Sequence, residues 1–147
     1  AEDALTGLAN RRSLEDRLSQ ELRAARRDNR RVTLAFLDVD GFKTINDELG
    51  HRIGDQALVD ISAEIEANLR SSDLLGRGRG GPAPRAPLSA RIGGDEFVIL
   101  FPENPAAESV CTILRRIASR IRSLSLVSAS ASGLPTSPRT APRGIRS

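Results

Sequence analysis

The chain has 147 residues, 39% of them apolar, which is enough for one domain with its own core. A single cysteine excludes an internal disulfide and a cysteine-based zinc site, and four Phe with no Trp or Tyr leave no stacking platform for single-stranded nucleic acid. The formal charge of +3 averages two unlike parts: residues up to 108 carry fifteen Lys+Arg and all 19 acids, whereas residues 109–147 carry seven Arg and no acid.

No apolar run reaches the ~18 residues of a membrane span. The Ala-Glu-Asp start has none of the marks of a signal peptide. A cytoplasmic setting is expected, with no membrane contact from this segment, whether or not a parent chain is anchored. Met is absent even at position 1, which reads as a segment of a longer chain. The Arg excess has two readings, a GC-rich genome or a basic surface for polyanions. No nucleic-acid motif accompanies it, so no nucleic-acid partner is expected. Lys43 is the single lysine. Where Arg is the default, a Lys suggests a need for a compact point charge.

In chain order, Ser13 is expected to cap a helix running to about Asp28, with Leu14, Leu18, Leu22 and Ala25 as its apolar stripe. The continuous apolar run Val32–Leu37 predicts a strand buried on both faces. It stops at Asp38-Val39-Asp40-Gly41. Phe42 to Leu49 reads as a short helix broken at Gly50, and Asp55 as the cap of another bearing Leu58, Ile61, Ile65 and Leu69. Residues 76–89 are rich in Gly, Pro and Arg and are expected to form a loop that buries nothing. Ala90–Ile92 and Phe97–Phe101 predict a hairpin across Gly93-Gly94-Asp95-Glu96. Asn104-Pro105 opens a further helix through Val110, Ile113, Leu114, Ile117 and Ile121. Leu124 to Ala129 predicts a last strand, and disorder is expected from Ser130 onward.

Apart from the leading helix, this order is β-α-β-β-α-β, the ferredoxin-like pattern. The expected class is α+β, with an antiparallel sheet and helices on one face. In such a sheet the first strand and the hairpin are central neighbours, so Asp38 is expected to come near Asp95. Converging carboxylates are costly unless a cation neutralises them. Hard oxygen donors favour Mg²⁺, which takes substrate phosphates as remaining ligands. The start of the helix at Phe42, with Lys43, offers donors and a charge for phosphate. The alternative is a capping aspartate and a turn with solvated acids. No Walker A pattern is present.

Four segments then carry a family resemblance: Asp3-Ala-Leu-Thr-Gly-Leu-Ala-Asn-Arg-Arg12, Leu37-Asp-Val-Asp-Gly-Phe-Lys-Thr-Ile-Asn-Asp47, Gly50-His-Arg-Ile-Gly-Asp55 and Arg91-Ile-Gly-Gly-Asp-Glu-Phe97. Together, in this order over residues 3–101, they resemble the GGDEF domain of diguanylate cyclases. The resemblance implies a palm-like fold shared with class III nucleotide cyclases. It also implies condensation of two GTP into cyclic di-GMP by a homodimer with one GTP per subunit, under an upstream sensor domain. By motif position, it implies Mg²⁺ (or Mn²⁺) ligands at Asp38, Asp95 and the Val39 carbonyl. Asp95 would also help to deprotonate the attacking 3′-hydroxyl, and Glu96 would support the site. Asn46 and Asp55 would hydrogen-bond guanine, and Phe42 and Lys43 would meet the phosphates. His51 falls in the substrate motif, where direct contact and a structural role both stand open. Gly93 and Gly94 would let the backbone approach the nucleotide. Thr6-Gly7 and Asn10-Arg11-Arg12 are expected to fix the first helix.

Two departures follow. Arg70-Ser-Ser-Asp73 matches the family's product-inhibition site, but residues 74–92 separate it from the signature, so an inserted loop at 76–89 is implied. An ordinary charged helix end is the other reading of Arg70 and Asp73. Residues 134–147 are Pro-, Ser- and Arg-rich where the family continues into a helix whose Lys and Arg hold the triphosphate. The domain is therefore expected at 1–133 with a disordered or aberrant tail, from truncation, frameshift or divergence. A degenerate domain that binds GTP or cyclic di-GMP, or only dimerises, is the alternative to a cyclase.

Overall fold

A computed structural model describes residues 1–70, 86–103 and 107–120 in full and the backbone of 124–132 and 139–140. Two strands organise it. Strand β1 (Arg31–Val39) and strand β3 (Glu96–Phe101) pair antiparallel, with Thr33 opposite Phe101 and Asp38 opposite Glu96. Along β3 alternate residues serve opposite faces. Phe97, Ile99 and Phe101 join Ala35, Leu37 and Val39 in one core, whereas Val98 and Leu100 join Val32 in a second. Such continuous apolar strands suit a sheet covered on both sides.

Strand β2 (Leu88–Arg91) flanks β3, and β4 (Leu124–Ser132) flanks β1. A two-residue β5 (Arg139–Thr140) pairs with β4, so the order is β2-β3-β1-β4-β5. The helices are α1 (Arg11–Asp28), α2 (Phe42–Leu49), α3 (His51–Arg70) and α4 (Ala107–Arg120). The α+β class, the element order and the central β1–β3 pair agree with expectation.

The helices α3 and α4 of the repeat lie on one face, as expected, and the leading helix covers the other. Leu58, Ile61 and Ile65 of α3 pack with Val110, Ile113, Leu114 and Ile117 of α4 on the first core. Leu14 and Ala25 of α1, with Leu18 and Leu22 beside them, cover the second. The leading helix lies outside the β-α-β-β-α-β repeat, and its apolar stripe occupies the face that the repeat leaves open.

Local chemistry moves several boundaries. Asn10, not Ser13, caps α1: its Oδ1 accepts from the Ser13 amide at 2.9 Å, while the Ser13 hydroxyl donates to the Ala1 carbonyl. Asn29 ends the helix at φ 52°, a left-handed position that Asn tolerates. Asp55 does not cap a helix, because α3 starts at His51 and runs through Asp55. β2 begins at Leu88, so the last two residues of the expected 76–89 loop are strand, with Leu88 packed on the second core. β4 continues through Ser132, and Arg139–Thr140 pairs with it, where disorder was expected. Residues 76–85, Asn104-Pro105 and Ile121 lie outside the described residues.

The amino-terminal segment is tied to the sheet. Ala9 pairs with Ala90 on the outer edge of β2: its amide donates to the Ser89 carbonyl, and its carbonyl accepts from the Arg91 amide. Within α1, Glu21 is buried and ion-paired with Arg17 at 3.1 Å. Arg17 also donates to the Ala86 carbonyl at 2.9 Å, just ahead of β2. Arg30 reaches across to the Pro102 carbonyl at the end of β3.

Candidate active site

The end of β1 is where the apolar run gives way to acids. Asp38 is the last β1 residue opposite β3, and the register sets it against Glu96. The hairpin from β2 to β3 is closed by the Ile92 amide donating to the Glu96 carbonyl at 3.0 Å. The Val39 amide donates to the Asp95 carbonyl at 3.2 Å, which fastens the hairpin to β1. The side chains of Asp38 and Asp95 are thereby brought close together. Partial burial pushes the Asp38 carboxyl above the ordinary aspartate range. The nearby charges of Asp95 and Glu96 add to the rise, against the Val39 amide. The pair is thus a place that attracts a proton or a cation.

Glu96 folds back over Gly93. A Cβ at Gly93 would stand 3.1 Å from the Glu96 Oε2, so a glycine there leaves room for the carboxylate. Among the described residues, no group of three or more His, Cys, Asp or Glu converges as a metal cage. The donors present are the two neighbouring carboxylates of Asp38 and Asp95, with Glu96 opposite Asp38 in the strand register. Such a set fits a hard divalent cation that completes its shell with water or substrate oxygens.

After β1 the chain turns through Gly41, at φ 69°, into α2. No side chain caps α2, so its first amides are left without a side-chain acceptor. Lys43 stands exposed on its first turn. Gly50, at φ 89°, then separates α2 from α3, its amide donating to the Asn46 carbonyl.

Asn46 is the second unusual feature. Its Oδ1 is buried without a hydrogen-bond partner. Leaving a buried polar atom unpaired costs about 1–3 kcal/mol, and an arrangement that retains it invites a functional explanation. The side chain lies against Gly54, where a Cβ would collide with Oδ1 and come 3.5 Å from the Phe42 ring. Asp55 is the next residue and is exposed, as is His51 at the start of α3. Phe42, Asn46 and Gly54 are thus brought together at the α2–α3 corner, with Asp55 beside them. We expect Gly54→Ala to lower stability by about 1–3 kcal/mol through overpacking. That outweighs the ~1 kcal/mol helix preference of Ala over Gly. Denaturant unfolding measures the net, and an unchanged midpoint would mean that Asn46 moves aside freely.

Arg70 lies apart from these groups. It ends α3, pairs with Glu66 at 3.3 Å and borders a cavity of about 400 Å³ with Gly7, Leu8, Leu88 and Ser89. None of the acids at the β1 end lines that cavity. Asp73 lies outside the described residues.

Sequence reasoning missed two residues. Gly54 was detectable as a lone glycine inside a helical pattern. Arg91 was not, because its partners, Asp3 and the Gly94 carbonyl, meet it only through the fold.

An antiparallel palm with paired acids at the end of its central strand defines a class of nucleotide-handling domains. The family model described as "Diguanylate cyclase, GGDEF domain" matches residues 1–81, and the chain belongs to the GGDEF family. It is 40% identical over 119 residues to the bifunctional diguanylate cyclase/cyclic di-GMP phosphodiesterase MucR of Pseudomonas aeruginosa. That match covers 81% of this chain and 15% of MucR, so the chain spans a small part of that relative. The solved GGDEF domain of TpbB from Pseudomonas aeruginosa superposes with a TM-score of 0.70 at 33% identity, covering 88% of this chain and 74% of that one. The GGDEF domain of DgcB from Caulobacter crescentus, solved in complex with c-di-GMP, gives 0.71 at 28% identity, with 90% and 80% covered.

Proposed function

We propose that this chain is a cyclase domain that condenses two GTP into cyclic di-GMP in bacterial signalling. The observation that carries the reading is the placement of Asp38 beside Asp95 at the end of β1, fixed by the strand register and the Val39–Asp95 backbone bond, next to an α2 start without a side-chain cap. Each condensation joins a 3′-oxygen to an α-phosphorus and breaks that phosphorus's bond to pyrophosphate. Two condensations give one cyclic di-GMP and two pyrophosphates.

The residues divide this work. Asp38, Asp95 and the Val39 carbonyl would hold Mg²⁺ or Mn²⁺, which when bound supplies charge to the phosphate oxygens. Asp95 helps to take the proton of the attacking 3′-hydroxyl, and the Glu96 carboxylate folded over Gly93 supports it. The Phe42 and Lys43 amides and the Lys43 ammonium meet the phosphates. Asn46 and Asp55 read the guanine edge, while His51, Gly93 and Gly94 line the approach. Each domain holds one GTP, so two copies face each other during synthesis. The setting proposed is the cytoplasm, with a sensor elsewhere in the parent chain. No described helix is long and apolar enough to cross a membrane. The proposed domain spans 1–133.

The alternative is a domain that binds GTP or cyclic di-GMP without turnover, with Arg70 and Asp73 as a product site. One observation favours it: Arg139–Thr140 pair as a strand with β4, in a Pro-, Ser- and Arg-rich stretch of sequence where the family resemblance implies a phosphate-clamping helix. Incubating the chain with GTP and Mg²⁺ and separating the nucleotides decides between them. Cyclic di-GMP and pyrophosphate in a 1:2 ratio, lost in Asp95→Ala, are the outcome expected of a cyclase. GTP binding with no product supports the alternative, and no GTP binding sinks both.

A further inference from the structure

The peptide groups on either side of Asp95 are held by different parts of the molecule. The Asp95 carbonyl is held by the Val39 amide of β1. The Gly94 carbonyl, one peptide earlier, is held by the Arg91 guanidinium, with Nε at 3.1 Å and Nη2 at 2.9 Å. At Gly94 itself a Cβ would meet no atom within 4 Å, so packing does not hold that residue in place. Two successive glycines would otherwise leave the backbone wide conformational freedom.

The guanidinium is itself held. Its Nη1 donates to both Asp3 oxygens, at 3.0 and 3.1 Å, and the two side chains are 17% and 19% exposed. Asp3 is set in place by Thr6, whose amide and hydroxyl both donate to Oδ2. Burial raises the Asp3 carboxyl, but the Thr6 donors and Arg91 outweigh it and hold it below the ordinary aspartate range. It is therefore an anion whenever the site works near neutral pH. One planar fork thus joins residue 3 to the turn that carries Asp95.

We infer that Arg91 and Asp3 are positioning residues, which set the backbone of Asp95 without touching substrate. Resting on the proposed function, this adds a specific role for the amino-terminal segment. A lysine at 91 would keep the charge opposite Asp3 but has no fork with which to reach the Gly94 carbonyl at the same time.

The test uses Arg91→Lys, Arg91→Ala and Asp3→Asn in the full 1–147 chain. Amide hydrogen exchange is read at Val39 and Ile92, whose N–H groups donate to the Asp95 and Glu96 carbonyls. Their protection should fall about tenfold in both Arg91 variants, the scale of one lost hydrogen bond to a charged group. Protection in α3 and α4 should stay at the parent level. GTP affinity in Mg²⁺, by calorimetry, should fall by a similar factor, and Asp3→Asn should show part of both effects. Adding Asp3→Ala to Arg91→Ala should change nothing further, as for two residues acting through one contact. Unchanged exchange at Val39 and Ile92, or a loss spread evenly over the helices, overturns the inference. If the parent binds no GTP, the cyclase reading fails, yet the exchange comparison still decides this one.

Discussion

Asp38→Ala and Asp95→Ala should each weaken Mg²⁺-dependent GTP binding by about 100-fold or more, the upper end of what even outer-shell metal-site changes cost. The same Asp38 variant should not destabilise the metal-free fold. Asp38 has a folded pKa above its unfolded value, so its ionised form costs the folded state stability at neutral pH. That cost disappears as pH falls through the folded value. Removing the carboxyl, or replacing it in Asp38→Asn, relieves the repulsion from Asp95 and Glu96. Melting in EDTA at pH 7 should therefore give a midpoint equal to or above that of the parent. Unchanged Mg²⁺–GTP affinity in both alanine variants would remove the site assignment. A clear fall in the melting midpoint would mean that the acids serve the fold as caps.

GTP should bind in preference to ATP by about 10⁴-fold, the discrimination open to a site built around hydrogen bonds that the wrong ligand cannot make. Guanine needs a donor for O6 and an acceptor for N1–H and N2–H. In the proposed site the Asn46 amide, with its Oδ1 buried against Gly54, would offer its nitrogen as the donor. In the proposed site the exposed Asp55 carboxylate would be the acceptor. Adenine presents a donor where guanine has O6 and lacks the N2 amine, so both contacts fail together. Competition of ATP against a fluorescent GTP analogue measures the ratio. Equal affinities would contradict the roles given to Asn46 and Asp55, as would an Asp55→Ala variant that still discriminates.

Much of the sheet could be read from the chain because its signal is local. The apolar run before Asp38 and the glycine pair before Asp95 identify β1 and the hairpin directly, and the β-α-β-β-α-β order makes them neighbours. The pairing of Asp38 with Asp95 follows from that topology. The position of α1 does not, since an apolar stripe at Leu14, Leu18, Leu22 and Ala25 says that a face is buried but not which one. Caps were misjudged where two polar residues compete: Asn10 and Ser13 can both serve, and the choice depends on the Ala1 carbonyl that takes the Ser13 hydroxyl. The unpaired Oδ1 of Asn46 and the fork of Arg91 belong to no local pattern. Each arises from residues that only the folded chain brings together.

The anchoring of β2 bears on how chain length can vary in this family. Arg17, braced by the buried Glu21, grips the Ala86 carbonyl, and Ala9 pairs with the strand immediately afterwards. The register of β2 against β3 is therefore fixed from its own start and not by its distance from Arg70. Residues added or removed between Arg70 and Ala86 need only span two fixed points. Loop closure charges little for that, about 0.6 kcal/mol for each doubling of length. The turn that carries Asp95 is in this way insulated from the segment before it, whose length can change without displacing Asp95.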